Sequence, residues 1–391
     1  FFAVDLVKEA KPPLARPFHD LRELKFVFAY SFLLELYHDY SNGWFQDVDF
    51  LKAILLVESY VFRRAICAIP TNSLNKTFAT MGKNLKKDRY IESIEAAFLL
   101  LPSYRRFPKD DEFKRELKNK DLYGFRSRSY WLRRLENFGR KERVPVDEYT
   151  IEHILPQCDN NRDKVPESWQ IELGDNWLEV WDTYCHTLGN LTLTGYNSEY
   201  SNRSFTEKRD MEGGFADSPL RLNKMLRSTT RWNKETILER AEHLADEASK
   251  VWESPKLDAS ILSAYQTITS DKATYTIEDH PHLASGSTRE LFDALQKAIL
   301  DIDPCVSEEF LKLYVAYKAE TNFVDIVPQA KRLRLSLNLP FPEIDDPKGL
   351  CRDVSGLGRW GNGDVEVGLS SFDELPYVLG LVRQSFEKQM G

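Results

Sequence analysis

Tyr149-Thr150-Ile151-Glu152-His153-Ile154-Leu155-Pro156-Gln157 and, downstream, His186-Thr187-Leu188-Gly189-Asn190-Leu191-Thr192-Leu193 are the segments on which the reading of this chain turns. The first begins with aromatic and β-branched residues, has strand character, and delivers an acid–imidazole pair. Leu191-Thr192-Leu193-Thr194 has the same texture, so two short facing strands are expected. Side chains alternate along a strand, which sends Glu152 and His153 to opposite sides. A neutral imidazole takes up a proton near pH 7, and a divalent cation stabilises negative charge developing on oxygen. His153 is therefore the candidate general base. Asn190 is the candidate for fixing the loop and the imidazole, and is grouped with His153 as catalytic. Glu152 with Asn197 or Asn202 forms an oxygen-only ligand set suited to Mg2+ or Mn2+. Zinc demands more His or Cys than this motif supplies. His186 reads as packing or support for the site. A lone strand histidine is ordinarily a satisfied polar residue; the combination of motifs carries the reading.

Just upstream, Lys114 to Arg143 holds eleven basic residues against four acidic ones, a local excess of seven in a chain whose net charge is −8. Local balance matters more than the total for a polyanion partner. Arg126, Arg128, Arg133, Arg134 and Arg140, with Lys208 further on, are the candidate DNA contacts. Taken singly, each is also readable as a solvated helix residue.

Residues 1–145 read as a helical region. Leu24, Phe26, Val27, Tyr30, Leu33, Leu34 and Leu36 form a dense apolar run with blurred spacing. Asp47-Val48-Asp49-Phe50 opens a helix with acids in its first turn. Pro70-Thr71-Asn72-Ser73 breaks the pattern and caps the next helix. The last helix of the region spans roughly Ser127 to Asn137. Residues 146–253 form the domain of the motifs. Within it, Cys158 to Asn176 reads as a polar insertion anchored by Trp169. Ser204, with Glu207 three residues on, signals a helix start, and Ile237, Ala241, Leu244, Ala248 and Val251 mark a firm helix over 234–252. Residues 254–285 read as a linker. Residues 286–391 read as a small α+β accessory domain: a helical stripe from Leu291 to Ile302, strand alternation at Leu333, Leu335, Leu337 and Leu339 and at Val365, Val367 and Leu369, and a closing helix through Leu375 to Val382.

Ile151 to Lys208 resembles the HNH nuclease domain of GmrSD-type proteins, the Type IV restriction endonucleases and their Ssp- and Brx-like phage-defence relatives. The matching residues are Glu152-His153-Ile154-Leu155-Pro156-Gln157, His186-x-Leu188-Gly189-Asn190-Leu191-Thr192-Leu193, and Asn197 through Asn202 to Phe205 and Lys208. Phe62-Arg63-Arg64-Ala65-Ile66-Cys67 and Thr71-Asn72-x-Leu74-Asn75 resemble the helical region of the same proteins, so the likeness covers about residues 20–252. It implies a ββα-metal fold, nicking or cleavage of phage DNA that carries modifications in some cases, and an upstream nucleotide-hydrolysing domain lying before Phe1. Glu152 stands where many HNH nucleases carry Asp. Two other readings stay open: a catalytically weak DNA-binding or modification-sensing module of a larger defence protein, and a regulatory protein acting through its C-terminal domain.

The 391 residues exceed one compact domain, and the 42% hydrophobic, 29% charged composition is that of a globular protein. Five scattered cysteines without a Cys-x-x-Cys pair point to a reducing compartment, read as the cytoplasm. No apolar run long enough for a membrane span and no signal-peptide pattern occurs. The start at Phe1 reads as the C-terminal part of a longer protein.

Overall fold

The computed structural model describes residues 9, 11–25, 27–71, 74–101, 105–266, 275–303, 305–319, 321–356 and 363–390. The chain forms two compact units, one of residues 1–69, 78–99 and 107–257, the other of residues 70–77, 100–106 and 258–391.

The first unit opens with α1 (Pro12–Glu23), α2 (Tyr30–Ser41) and α3 (Asp47–Ile66). The blurred apolar run has a simple cause: it is not one helix. α1 ends at Glu23, Lys25 takes a positive φ of 54°, and a short 3-10 turn at Val27–Ala29 resets the phase before α2. α3 has Asp47 and Asp49 in its first turn and Arg63 and Arg64 in its last, both favourable to the helix dipole. From Leu56 to Arg64 its residues are all buried, which identifies a central helix rather than an amphipathic surface one. α4 (Leu74–Met81) follows in the chain, counted with the second unit up to Thr77 and with the first from Phe78, and its expected cap at Asn72 and Ser73 lies outside the described residues. Then come α5 (Tyr90–Leu99), α6 (Asp110–Asn119) and α7 (Arg128–Asn137).

β1 (Thr150–His153) and β2 (Leu191–Thr194) pair antiparallel, with His153 opposite Leu191 and Glu152 opposite Thr192. Between them lie three 3-10 turns, α8 (Glu167–Leu173) and α9 (Trp177–Tyr184). Trp169 is buried and donates its indole N–H to the Arg203 carbonyl at 3.0 Å, anchoring the inserted stretch. After β2 come α10 (Asn197–Tyr200), α11 (Phe205–Asp210) and the long α12 (Lys234–Val251). The Ser204–Glu207 capping box forms at the start of α11 as its sequence signals.

One hydrophobic cluster joins Phe62 of α3, Phe113 and Leu117 of α6, Trp131 and Leu132 of α7, Leu191 and Leu193 of β2, and Leu244, Ala248 and Trp252 of and beyond α12. A second gathers Ile154, Leu155, Trp169, Trp181, Phe205, Trp232 and Ile237. The hairpin thus sits between two cores, and the change of texture near residue 145 does not separate two compact bodies: helices on both sides of it share one interior.

The second unit includes α13 (Ala259–Ser263), α14 (Ser287–Leu300) and α15 (Leu375–Met390). Its antiparallel sheet contains β3 (Ser307–Phe310), β4 (Val315–Lys318), β5 (Asn322–Gln329), β6 (Arg332–Leu337), β7 (Arg352–Asp353) and β8 (Val365–Leu369), in the order β3-β4-β5-β6-β8-β7. Leu333, Leu335 and Leu337 face Leu369, Val367 and Val365 in register, so the two alternating stripes become one apolar face under α14 and α15. Leu283 belongs to this core and Ile277 packs against it, so the unit takes in part of the stretch read as a linker. Residues 267–274 of that stretch lie outside the described residues.

Candidate active site

The site is built on a turn that the sequence Leu188-Gly189-Asn190 makes possible. These three residues form a 3-10 turn feeding β2, and all are buried. A Cβ on Gly189 would stand 2.2 Å from the Ile237 carbonyl oxygen, so only glycine lets α12 approach this closely. Arg240 of α12, itself buried, closes the turn from below. Its Nη1 donates to the carbonyls of Gly189 at 2.7 Å and Leu191 at 3.0 Å, and its Nη2 to that of Leu222 at 3.2 Å. Burial pushes this guanidinium down to about 9, because the cation has been stripped of water.

Asn190 is fully buried, and its side chain makes four hydrogen bonds among the described residues. Its Oδ1 accepts from the Leu155 N–H at 2.7 Å and the Trp232 indole at 3.0 Å; its Nδ2 donates to the carbonyls of Leu155 and Cys185, both at 2.9 Å. It clasps the chain after β1 to the chain before β2. Fixing the loop is what the sequence asked of it. No hydrogen bond joins it to the His153 imidazole among the described residues, so it acts through the backbone.

His153 ends β1 and is buried. Its Nε2 lies 3.0 Å from His186 Nδ1, the two rings meeting edge to face at 5.1 Å between centroids. Tyr123 walls the pair, stacked on His186 at 5.5 Å and edge-on to His153 at 4.5 Å. Cys185 lies beside them, and its Sγ with the nitrogens of His153 and His186 forms a group of potential ligand atoms all within 4.8 Å of one another. The His186 carbonyl accepts from the Leu122 N–H at 2.9 Å, which holds this corner to the segment carrying Tyr123.

Glu152 departs from its expected position toward a metal. It is 3% exposed, and Lys208 of α11, 0% exposed at its side chain, donates to Oε1 at 2.6 Å. The same ammonium donates to the carbonyls of His153 at 2.9 Å and Ile154 at 3.2 Å. Burial pushes the Glu152 carboxyl up to about 7, partly opposed by Lys208, and burial lowers Lys208. Lys208 is therefore a correction: read as a phosphate contact, it is sealed inside the fold. A buried carboxylate needs a cation, and α11 delivers one.

Asn197 uses Nδ2 to hold β1, donating to the Ile151 carbonyl at 2.9 Å and to Thr150 Oγ1 at 3.1 Å. Asn202 is exposed. The structure thus brings together His153, His186, Cys185 and Tyr123, whereas the carboxylate of Glu152 is engaged elsewhere. Cys185 and Tyr123 went unassigned in the sequence. Cys185-His186 directly before the Leu-Gly-Asn turn was the available signal; Tyr123, inside a basic run, left none.

The basic run is also corrected. Arg134 pairs with Glu58 at 2.7 Å and lies 3.4 Å from Asp20, buried between α1 and α3. Arg133 is half-buried between Glu23 and Asp147, and Arg140 pairs with Glu136. Lys114 and Lys118 pair with Asp246 and Glu242 of α12. The local excess of positive charge is largely neutralised by acids from distant sequence. Arg126 is exposed, and the Arg128 side chain lies outside the described residues.

Residues 107–247 match the family described as GmrSD restriction endonucleases, C-terminal domain. The match begins before α6 and covers every candidate site residue. Residues 277–389 match a domain of unknown function, DUF5655. An uncharacterized protein of Haemophilus influenzae is 38% identical over 113 residues, 29% of this chain and 37% of that protein. The chain therefore spans little more than a third of the curated relative it matches. No solved structure matches. Among the described residues, no helix is long and apolar enough to cross a membrane.

Proposed function

We propose that residues 107–247, which match the C-terminal domain of the GmrSD restriction endonucleases, form an HNH endonuclease domain hydrolysing DNA in restriction or anti-phage defence. The observation that carries the reading is the end of β1, where His153 is oriented by a second imidazole through the 3.0 Å Nε2···Nδ1 contact. β1, β2 and the helices after them then correspond to the ββα-metal arrangement, with α10 and α11 in the helical part.

In the tautomer that suits a base, His153 donates its Nε2–H to His186 Nδ1 and presents Nδ1 as the proton acceptor. A water beside that nitrogen gives it a proton as its oxygen bonds to phosphorus, the bond from phosphorus to the leaving ester oxygen breaks, and that oxygen takes up a proton from solvent; the imidazolium that forms shares its charge with His186 until it returns its proton to solvent. Tyr123 keeps both rings from rotating. Asn190, Gly189 and Arg240 hold the turn that carries the pair; they position and do not touch the reacting atoms.

The Mg2+ or Mn2+ expected from the resemblance is the separable part of this proposal. The oxygen donors do not fit it as they stand, because Glu152 is held by Lys208, Asn197 is engaged with β1, and Asn202 is exposed. The same observation favours the second reading, a DNA-binding domain of weak catalysis. Supercoiled plasmid with Mg2+ or Mn2+ decides between them. Nicking by the wild type that disappears in His153→Ala supports the nuclease; DNA binding without nicking supports the second reading. EDTA then tests the cation: cleavage that survives it removes the metal from the mechanism.

A further inference from the structure

We propose that His153, His186 and Cys185 form a site for a thiophilic divalent cation of the zinc class, and that its occupation takes His153 out of service as a base. The second half of the proposal rests on the nuclease reading; the first half does not.

The donor set is two imidazole nitrogens and a thiol, drawn from the end of β1 and from the turn after α9. No carboxylate takes part. Thiolate and imidazole select zinc over the hard, oxygen-seeking magnesium ion. With zinc–nitrogen bonds of about 2.0–2.1 Å and zinc–sulfur bonds of about 2.3 Å, tetrahedral ligands stand roughly 3.3–3.8 Å apart. The observed nitrogen–nitrogen separation of 3.0 Å and the overall span of 4.8 Å bracket that geometry, so small side-chain rotations suffice. Zinc was set aside from the sequence because the motif alone has too few soft ligands. The fold supplies the missing two by bringing Cys185-His186 against His153.

The frame around the donors is already fixed. The Cys185 N–H donates to the Trp181 carbonyl at 3.1 Å, and the Cys185 carbonyl accepts from Asn190. The Cys185 Sγ stands 3.8 Å from the Leu155 carbonyl, the acceptor its thiol proton leaves when a cation takes its place. Little ordering cost therefore remains on binding. Coordination at His153 Nε2 breaks the contact with His186 and draws electron density from the ring, so Nδ1 becomes a poor proton acceptor. The cation is an inhibitor of cleavage, reversible by a zinc chelator.

The test uses the full chain and Co2+, which reports thiolate ligation by a near-ultraviolet charge-transfer band and low coordination number by visible bands. One equivalent of Co2+ should develop both, and Zn2+ should erase them. His186→Ala and Cys185→Ser should each lose the charge-transfer band, while Cys158→Ser keeps it. Circular dichroism confirms folding, and the half-buried His186 supplies the result if Cys185→Ser does not fold. In plasmid nicking with excess Mg2+, Zn2+ should inhibit wild type, with Cys185→Ser needing about tenfold more Zn2+ or beyond. No band in the folded wild type, or a band unchanged in both variants, overturns the site. A band without any nicking activity leaves the site standing and removes the nuclease reading; nicking without a band does the reverse.

Discussion

On one side of β1, His153 meets a second imidazole, a phenol ring and a thiol; on the other, Glu152 is closed off by a buried ammonium. The two residues are adjacent, and their sequence pattern marks both for the same chemistry. What separates them is the cost of burial. A neutral imidazole enters a protein interior without a net charge to be matched. A carboxylate brings a charge that must be matched, and once Lys208 matches it the group is committed to the fold. The hairpin therefore has a side available for reaction and a side that holds it together.

The largest effect is expected on the first side. His153→Ala should lower plasmid nicking by about 10²–10⁴-fold with unchanged circular dichroism. Nicking within a few-fold of wild type would place the base elsewhere and collapse the contrast. On the second side, Lys208→Met leaves a buried carboxylate without its partner and should cost about 3–5 kcal/mol in urea unfolding. Adding Glu152→Gln to it should recover much of that loss. If Lys208→Met instead keeps the wild-type midpoint and weakens DNA binding, Lys208 reaches phosphate and the closed side is open. The turn beneath both sides should feel Gly189→Ala, because the added methyl meets the Ile237 carbonyl; a loss of about 1–3 kcal/mol is expected. An unchanged melting temperature would mean that α12 shifts freely, and that the hairpin does not depend on this contact. The smallest effect belongs to the cations. Arg126→Ala should leave the unfolding midpoint alone and lower the salt slope of DNA affinity by about one log–log unit if it meets a phosphate. Arg134→Ala should do the opposite, since its guanidinium serves Glu58. Equal behaviour of the two in both measurements would erase the distinction between buried and exposed members of the run.

Local features were legible wherever the information is local. The capping box at Ser204, the acidic start of α3, and the alternation of Leu333, Leu335 and Leu337 require only neighbours in sequence, and each appears where its pattern places it. The strand character of Thr150–His153 and Leu191–Thr194 was legible for the same reason. The fate of charges was not legible. Counting Lys and Arg between residues 114 and 143 could not show that Asp246, Glu242, Glu58 and Asp20 would come to meet them.

The sequence by itself determined the elements, the family that residues 107–247 match, and the placement of an imidazole at the end of a strand. Tertiary structure alone decided which neighbours that imidazole has, and that Glu152 faces Lys208 rather than solvent. Secondary structure follows from propensities and periods that act over a few residues. The partner of a buried polar group is chosen by packing between segments far apart in the chain, and a one-dimensional pattern carries no distance between them.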